Sequence, residues 1–166
     1  CDGMGGLSKG ELASATVVQA FSRWFDEELP YELADVNLEV IGGKWSLMLK
    51  DLNVRILEAT RNHCRSGEAM GTTFTGILFV NDHYIIAHVG DTRAYQITSE
   101  IQQLTTDQTF VAREVSRGTM TIEQALRDKR RNMLLQCIGA SEVVDPQILT
   151  GKANKGAYML CSDGFR

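Results

Sequence analysis

The chain reads as an α+β layered sandwich, and three observations predict it. Two long helical patterns open the sequence, four short segments rich in aromatic and β-branched residues follow, and a helical pair with two further strands closes it.

The first helical pattern spans Glu11 to Leu29, with Leu12, Ala15, Val18, Trp24 and Phe25 recurring near helical spacing, and Pro30 stands after it as a stop. The second spans Ser46 to Arg65 on Leu49, Leu52, Ile56, Leu57 and Ala59; Gly42-Gly43 reads as a loop ahead of it and Gly67 as its end. From Thr72 the period changes. Thr73 to Val80, Tyr84 to Val89, Arg93 to Thr98 and Ile101 to Leu104 read as strands, with Asn81-Asp82 and Ser99-Glu100 at hairpin tips. Connections this short join antiparallel neighbours, because a parallel pair needs a crossover of about a dozen residues, so the strands are expected as one meander. Thr109 to Arg117 and Thr121 to Arg131 return to helix, with Thr121-Ile122-Glu123-Gln124 as a capping box. This pair, roughly residues 108–132, is expected to form a flap. Val143 to Leu149 and Ala157 to Cys161 are the closing strands, the second running into Ser162-Asp163-Gly164.

Bulk properties narrow the function classes. At 166 residues the chain fits a single domain, and 43% hydrophobic with 23% charged residues is an ordinary globular mix. A net charge of −4 and the lack of a basic stripe interleaved with aromatics argue against a nucleic-acid partner. Cys1, Cys64, Cys137 and Cys161 are scattered with no Cys-x-x-Cys pair, which points to neither a zinc site nor a disulfide framework and suggests a reducing, cytoplasmic setting. No apolar run is long enough to span a bilayer, so no membrane association is expected.

Two turns carry the chemistry. Asp2-Gly3-Met4-Gly5-Gly6 precedes a helix and Ser162-Asp163-Gly164 ends an apolar strand, each setting a carboxylate beside a glycine. Glycine lets the backbone come close, so a carbonyl such as that of Gly3 can face the same hard cation as the carboxylate. Oxygen-only ligands select Mg²⁺ or Mn²⁺ over zinc. The same Asp-Gly pairs also read as ordinary turns.

Taken together and in order, Asp2-Gly3-Met4-Gly5-Gly6, Gly71-Thr72-Thr73, Gly90-Asp91-Thr92-Arg93-Ala94-Tyr95, Leu104-Thr105-Thr106-Asp107 and Ser162-Asp163-Gly164 resemble the metal-dependent serine/threonine protein phosphatases of type 2C over essentially the whole chain. The resemblance implies a four-layer α-β-β-α sandwich of two antiparallel sheets flanked by helices, with a binuclear metal centre at one end. It implies that Asp2 bridges two Mg²⁺ or Mn²⁺ ions, that Gly3 offers its carbonyl to one, that Asp163 binds the other, and that Asp107 with Asp163 holds a weaker third; Asp2 and Asp163 are then the catalytic pair. Asp91 corresponds to a structural aspartate, and Thr72 and Thr73 are candidates to support the ligands by hydrogen bonds. The implied reaction is hydrolysis of phosphoserine and phosphothreonine in phosphoproteins by a water or hydroxide between the ions, with no covalent phosphoenzyme and no need of Cys64 or Cys137 as nucleophile.

The family places an arginine-bearing strand before the first motif and a further aspartate after the last, so the chain is expected to be a central portion of the domain, weakly active or inactive alone, with an unpaired strand edge open to homodimerisation. Gln108 stands where the family often has histidine. A catalytically dead domain acting as a binding or regulatory module is the alternative reading, as is a phosphatase dedicated to one small regulatory protein. His63, His83 and His88 share no ligand spacing and read as surface or core residues; Arg127, Lys129, Arg130 and Arg131 read as a solvated helix face; Trp24, Phe25 and Trp45 read as packing residues.

Overall fold

The computed structural model describes residues 1–4, 7–32, 36–63 and 69–165. Gly5, Gly6, Cys64, Arg65 and Gly67, all used in the sequence reading, lie outside them.

A two-residue strand β1 (Gly3–Met4) leads into α1 (Leu7–Arg23), which continues through a π-helical turn at Trp24–Glu28 into α2 (Leu29–Glu32). Pro30 therefore does not stop the helix. Proline lacks an N–H and its ring crowds the carbonyl four residues back; here the wider π turn, closed by the Leu29 N–H on the Trp24 carbonyl, lies just ahead of it. The buried face of α1 is Ala13 and Val17, continued by Trp24 of the π turn, with Ala20 and Phe21 beside them, while Leu12 and Val18 are more than half exposed or at the half mark (57% and 50%). Of the stripe chosen from the sequence, Trp24 is buried as expected, while Leu12, Ala15 and Val18 are exposed and their neighbours Ala13 and Val17 are buried instead. Phe25, expected to pack, is exposed as well.

The next helix, α3 (Leu38–His63), begins about two turns before Ser46 and takes Gly42 and Gly43 into its body. Asn37 caps it, its Oδ1 accepting from the N–H groups of Glu39 (2.9 Å) and Val40 (3.3 Å). Gly42 suits the site because a Cβ there would lie 2.8 Å from Ile148 and 3.0 Å from Ile85, so α3 can press close on the sheet below. Leu49, Leu52 and Ile56 are buried as expected, each worth about 1.5–3 kcal/mol relative to exposure.

The strands do not form one meander. β2 (Gly71–Thr72) pairs with β1; β3 (Phe74–Val80), β4 (His83–Val89) and β7 (Gln147–Lys152) make a first antiparallel sheet in the order β3-β4-β7; β5 (Arg93–Ile97), β6 (Ile101–Gln103) and β8 (Ala157–Cys161) make a second in the order β6-β5-β8. The chain changes sheets at Gly90-Asp91-Thr92. Gly90 has φ +108, and a Cβ there would fall 2.6 Å from Thr73 Cγ2, so only glycine fits this corner without strain. A short connection dictates direction, not sheet membership, which is why the hairpin logic failed at this one joint. The strand expected from Val143 starts at Gln147.

Alternation along β4 builds two interiors. Ile85, Ala87 and Val89 join the core under α1 and α3 with Trp24, Trp45 and Phe74. On the other face Tyr84 meets Tyr158 of the second sheet at 5.7 Å between ring centroids, and Phe79 stands 4.8 Å from the same ring. His88 sits fully buried on that face: Nε2 donates to the Thr106 carbonyl (3.1 Å), so Nδ1 of the neutral ring accepts from Thr75 Oγ1 (2.9 Å). It is a packed core histidine, as expected, and it ties the sheets together. The α+β sandwich of antiparallel sheets is therefore what forms.

Candidate metal centre and cleft

The platform of the site is Thr72 and Thr73. Thr72 pairs on one side with β1, in the register Gly3 to Thr72 and Met4 to Gly71, and on the other with Ile138 through N–H···O bonds of 2.9 and 3.0 Å. Asp2 is held at its backbone three times: Thr73 N–H donates to its carbonyl (2.9 Å), Thr72 Oγ1 donates to the same carbonyl (3.1 Å), and its own N–H donates to Thr73 Oγ1 (3.0 Å). The threonines thus support the candidate ligand, through its main chain and not through its carboxylate. Ile138 is steadied in turn by buried Asn53 of α3, which accepts from Gly139 N–H (2.7 Å) and donates to the Ser141 carbonyl (3.0 Å).

Gly3 has a packing reason as well as a chemical one. A Cβ there would lie 2.3 Å from the carbonyl oxygen of Gly10 in α1, and one on Gly10 would lie 2.6 Å from Gly3. Strand and helix backbones touch at this point, which fixes where Asp2 emerges.

Asp163 arrives from the other direction, opening a 3-10 turn (Asp163–Phe165) just after β8. It meets Asp2 in a cavity of about 210 Å³ that Gly3, Thr73, Asp91 and Asn132 also line. Burial first, and then the hydrogen-bonded, like-charged Asp163 carboxylate, push the Asp2 carboxyl above the usual aspartate range. Two acids brought to one small cavity, which Met4 and Leu134 line as well, suit a hard divalent cation, which removes the repulsion and takes only oxygen ligands. Among the described residues no three His, Cys, Asp or Glu side chains gather as a complete ligand cluster. Asp91, read from the sequence as structural, lines the cavity and is buried.

The cavity opens beside a cleft of about 750 Å³, shared through Asn132 and Asp163 and walled by α4 (Phe110–Ser116) and α5 (Ile122–Arg127). Thr109 caps α4 by accepting from Ala112 N–H (3.2 Å), and Thr121 with Gln124 forms the expected capping box on α5. Residues 128–135 return alongside: Phe110 N–H donates to the Met133 carbonyl and Leu135 N–H to the Gln108 carbonyl, both at 2.8 Å, which carries Asn132 to the cavity mouth. Gln108, at the family's histidine position, clamps the sheet corner, since its Oε1 accepts from Gly90 N–H (2.8 Å) while its own N–H donates to the Gly90 carbonyl (2.8 Å).

Asp107 lines this cleft with Asp163, but it does not line the small cavity. Its two carboxylate oxygens accept from the Arg93 fork, Nε to Oδ1 at 2.8 Å and Nη2 to Oδ2 at 2.6 Å. Neither Arg93 nor Asn132 was assigned a site role from sequence, because nothing in the spacing shows that a strand arginine and a loop asparagine would face this opening. In the basic cluster Arg130 is bound to Asp128 (2.8 Å) and stacks over Phe110, whereas Arg131 lines the cleft. His83 is exposed beside Asp82, and the His63 side chain lies outside the described part of its helix. Cys137 is buried, its thiol pushed up to about 12 chiefly by desolvation, which keeps it protonated and excludes it as a nucleophile; Cys64 lies outside the described residues.

Comparison with known proteins bears on the family and the fold. The serine/threonine protein phosphatase PstP of Mycobacterium tuberculosis is 34% identical over 172 residues, an alignment that covers 99% of this chain and 30% of the relative. Among solved structures, Stp1 of Staphylococcus aureus superposes with a TM-score of 0.86 at 32% identity, over 99% of this chain and 63% of that one. The catalytic domain of PstP in complex with two manganese ions superposes at 0.76 with 32% identity, over 98% and 64%. The chain therefore spans less than two thirds of each. Its residues 1–166 match the family described as protein phosphatase 2C, and with every motif in order and the acids of its first and last motifs sharing one cavity, the chain belongs to that family.

Proposed function

We propose that this chain carries the metal centre of an enzyme that hydrolyses phosphoserine and phosphothreonine in phosphoproteins. The observation that carries the reading is the meeting of Asp2 and Asp163 in one small cavity beside a cleft wide enough for a peptide side chain. Asp2, Gly3 and Asp163 would hold Mg²⁺ or Mn²⁺, two ions by analogy with the manganese-bound relative, and Asp107 would take part in a third, weaker site. A bound divalent ion supplies positive charge against the phosphoryl oxygens and lowers the pKa of a coordinated water. The chain's own residues do the rest. Thr72 and Thr73 fix the position of Asp2, Asp163 sets the opposite wall, and residues 108–132 act as a flap that restricts water and receives the substrate segment.

The presence of acids at Asp2, Asp107 and Asp163 favours an enzyme over a dead binding domain. With no complete three-acid cluster among the described residues, metal binding is weak and turnover by the 166-residue chain is low. The role is signalling in the cytoplasm as the reverse of a kinase; among the described residues no helix is long and apolar enough to cross a membrane. Among the described strands β3 pairs with β4 alone, and we propose its outer edge as the site of homodimer contact. Phosphate release from a phosphothreonine peptide tests the function. It should require Mn²⁺, reverse with chelator and disappear in Asp2→Asn; release that is indifferent to chelator or to Asp2→Asn would contradict the proposal.

A further inference from the structure

Asn53 is a polar side chain on the buried face of α3, 1% exposed among Leu49, Leu52 and Ile56. Both ends of its amide go to one loop. Oδ1 accepts from Gly139 N–H at 2.7 Å, and Nδ2 donates to the Ser141 carbonyl at 3.0 Å. Shape seats the same loop on the same helix: Gly139 has φ +86, and a Cβ there would lie 2.2 Å from Ile56 Cγ2. Within the loop Ser141 Oγ accepts from Cys137 N–H at 2.8 Å. Ile138 at its centre exchanges both N–H···O bonds with Thr72, and Thr72 and Thr73 hold the Asp2 main chain. Each link from Asn53 to Asp2 is a hydrogen bond or one peptide unit. The segment that leads into this loop also brings Asn132 and Leu134 to the cavity wall.

We propose that Asn53 is a positioning residue for the metal centre: by clamping residues 138–141 to α3 it sets Thr72, and through Thr72 the point from which Asp2 presents its carboxylate. This rests on the phosphatase reading. Asn53 does not line the cavity, so it acts only through the main chain. Leucine at this position is of similar size and suits a helix, but it leaves the Gly139 N–H without its acceptor and the Ser141 carbonyl without its donor. Both groups then gain by reaching water, which favours the loop leaving α3. Metal affinity falls by the fraction of time Asp2 is correctly placed. Contacts that hold a ligand in place are worth on the order of tenfold in affinity.

Amide hydrogen exchange without metal, and Mn²⁺ titration followed by the free-ion electron paramagnetic resonance signal, test the proposal on the 166-residue chain. Asn53→Leu should speed exchange at Thr72, Thr73 and Ile138 on the order of tenfold relative to the other strands, and weaken Mn²⁺ binding by about the same factor. Leu49→Ala, which opens a cavity under the same helix, should neither single out those amides nor change the affinity of the folded chain. Asn53→Leu combined with Thr72→Val should weaken Mn²⁺ by less than the product of the single effects, because both cut one chain of bonds. Ser141→Ala loosens the same loop at Cys137; it should fall between wild type and Asn53→Leu, and it serves if the leucine variant does not fold. Unchanged exchange at Thr72 and Thr73 overturns the proposal, as does faster exchange there with wild-type Mn²⁺ affinity, or single effects that simply multiply. Mn²⁺ binding that ignores Asp2→Asn would instead sink the phosphatase reading.

Discussion

Gly3→Ala is the most informative single perturbation, because one methyl group tests how strand, helix and site depend on one another. The added Cβ would sit 2.3 Å from the Gly10 carbonyl oxygen and 2.4 Å from its carbon, both backbone atoms of α1. Neither can rotate away. Reaching even 3.0 Å needs a relative shift of roughly 0.7 Å between strand and helix, on a helix whose Ala13 and Val17 are buried in the core. Overpacking of this kind costs about 1–3 kcal/mol. For a chain of this size that is a fall in melting temperature of about 3–10 °C by differential scanning calorimetry. Gly43→Ala is the matched control, since a Cβ there meets nothing within 4 Å in the body of α3. It should stabilise by about 0.5–1 kcal/mol through helix propensity. The reasoning is refuted if Gly3→Ala melts with or above the wild type, or if Gly43→Ala is the more damaging of the two.

Three further outcomes follow. Burial lowers the His88 pKa below its ordinary 6.5, so its contribution to stability is complete above about pH 6.5 and is lost as pH falls toward the folded value; the unfolding free energy from urea titration should drop below that pH with a slope of up to about 1.4 kcal/mol per unit, and the part due to this ring should vanish in His88→Gln. Asp163→Asn removes one of two facing acids, so in chelator it should melt as high as or slightly higher than the wild type while losing Mn²⁺ binding; a less stable chain in chelator would count against repulsion at the site. Thr121→Ala breaks a reciprocal cap on α5 and should cost about 1 kcal/mol, seen as faster hydrogen exchange confined to residues 122–127; faster exchange across β4 as well would show that α5 is not a local unit.

Much of the fold could be read from local signals. The capping box at Thr121, the hairpin at Asn81-Asp82 and the strand running into Ser162-Asp163-Gly164 each depend on neighbours in sequence, and each formed. The failures depended on distant partners. Gly42 and Gly43 look like a loop until Ile85 and Ile148 are placed beneath Gly42, and Pro30 looks like a stop until the π turn is placed ahead of it. Part of the α1 stripe was misplaced because Leu12 and Val18 are as apolar as Ala13 and Val17, and the position of β1, β2 and α3 decides which face is inward. The acids followed the same division. Asp2 and Asp163 were legible through their glycine turns, whereas the fork of Arg93 on Asp107 and the arrival of Asn132 arise from the switch between sheets at Gly90 and from the return of residues 128–135 beside α4.

Paramagnetic mapping puts the central claim to its most direct test. If the carboxylates of the first and last motifs share one ion, substoichiometric Mn²⁺ added to ¹⁵N-labelled protein should broaden the amides of Gly3, Thr73 and Asp163 first, and Asp2→Asn should abolish that broadening. Loss of signal centred elsewhere, or at only one of the two motifs and unaffected by Asp2→Asn, would contradict it.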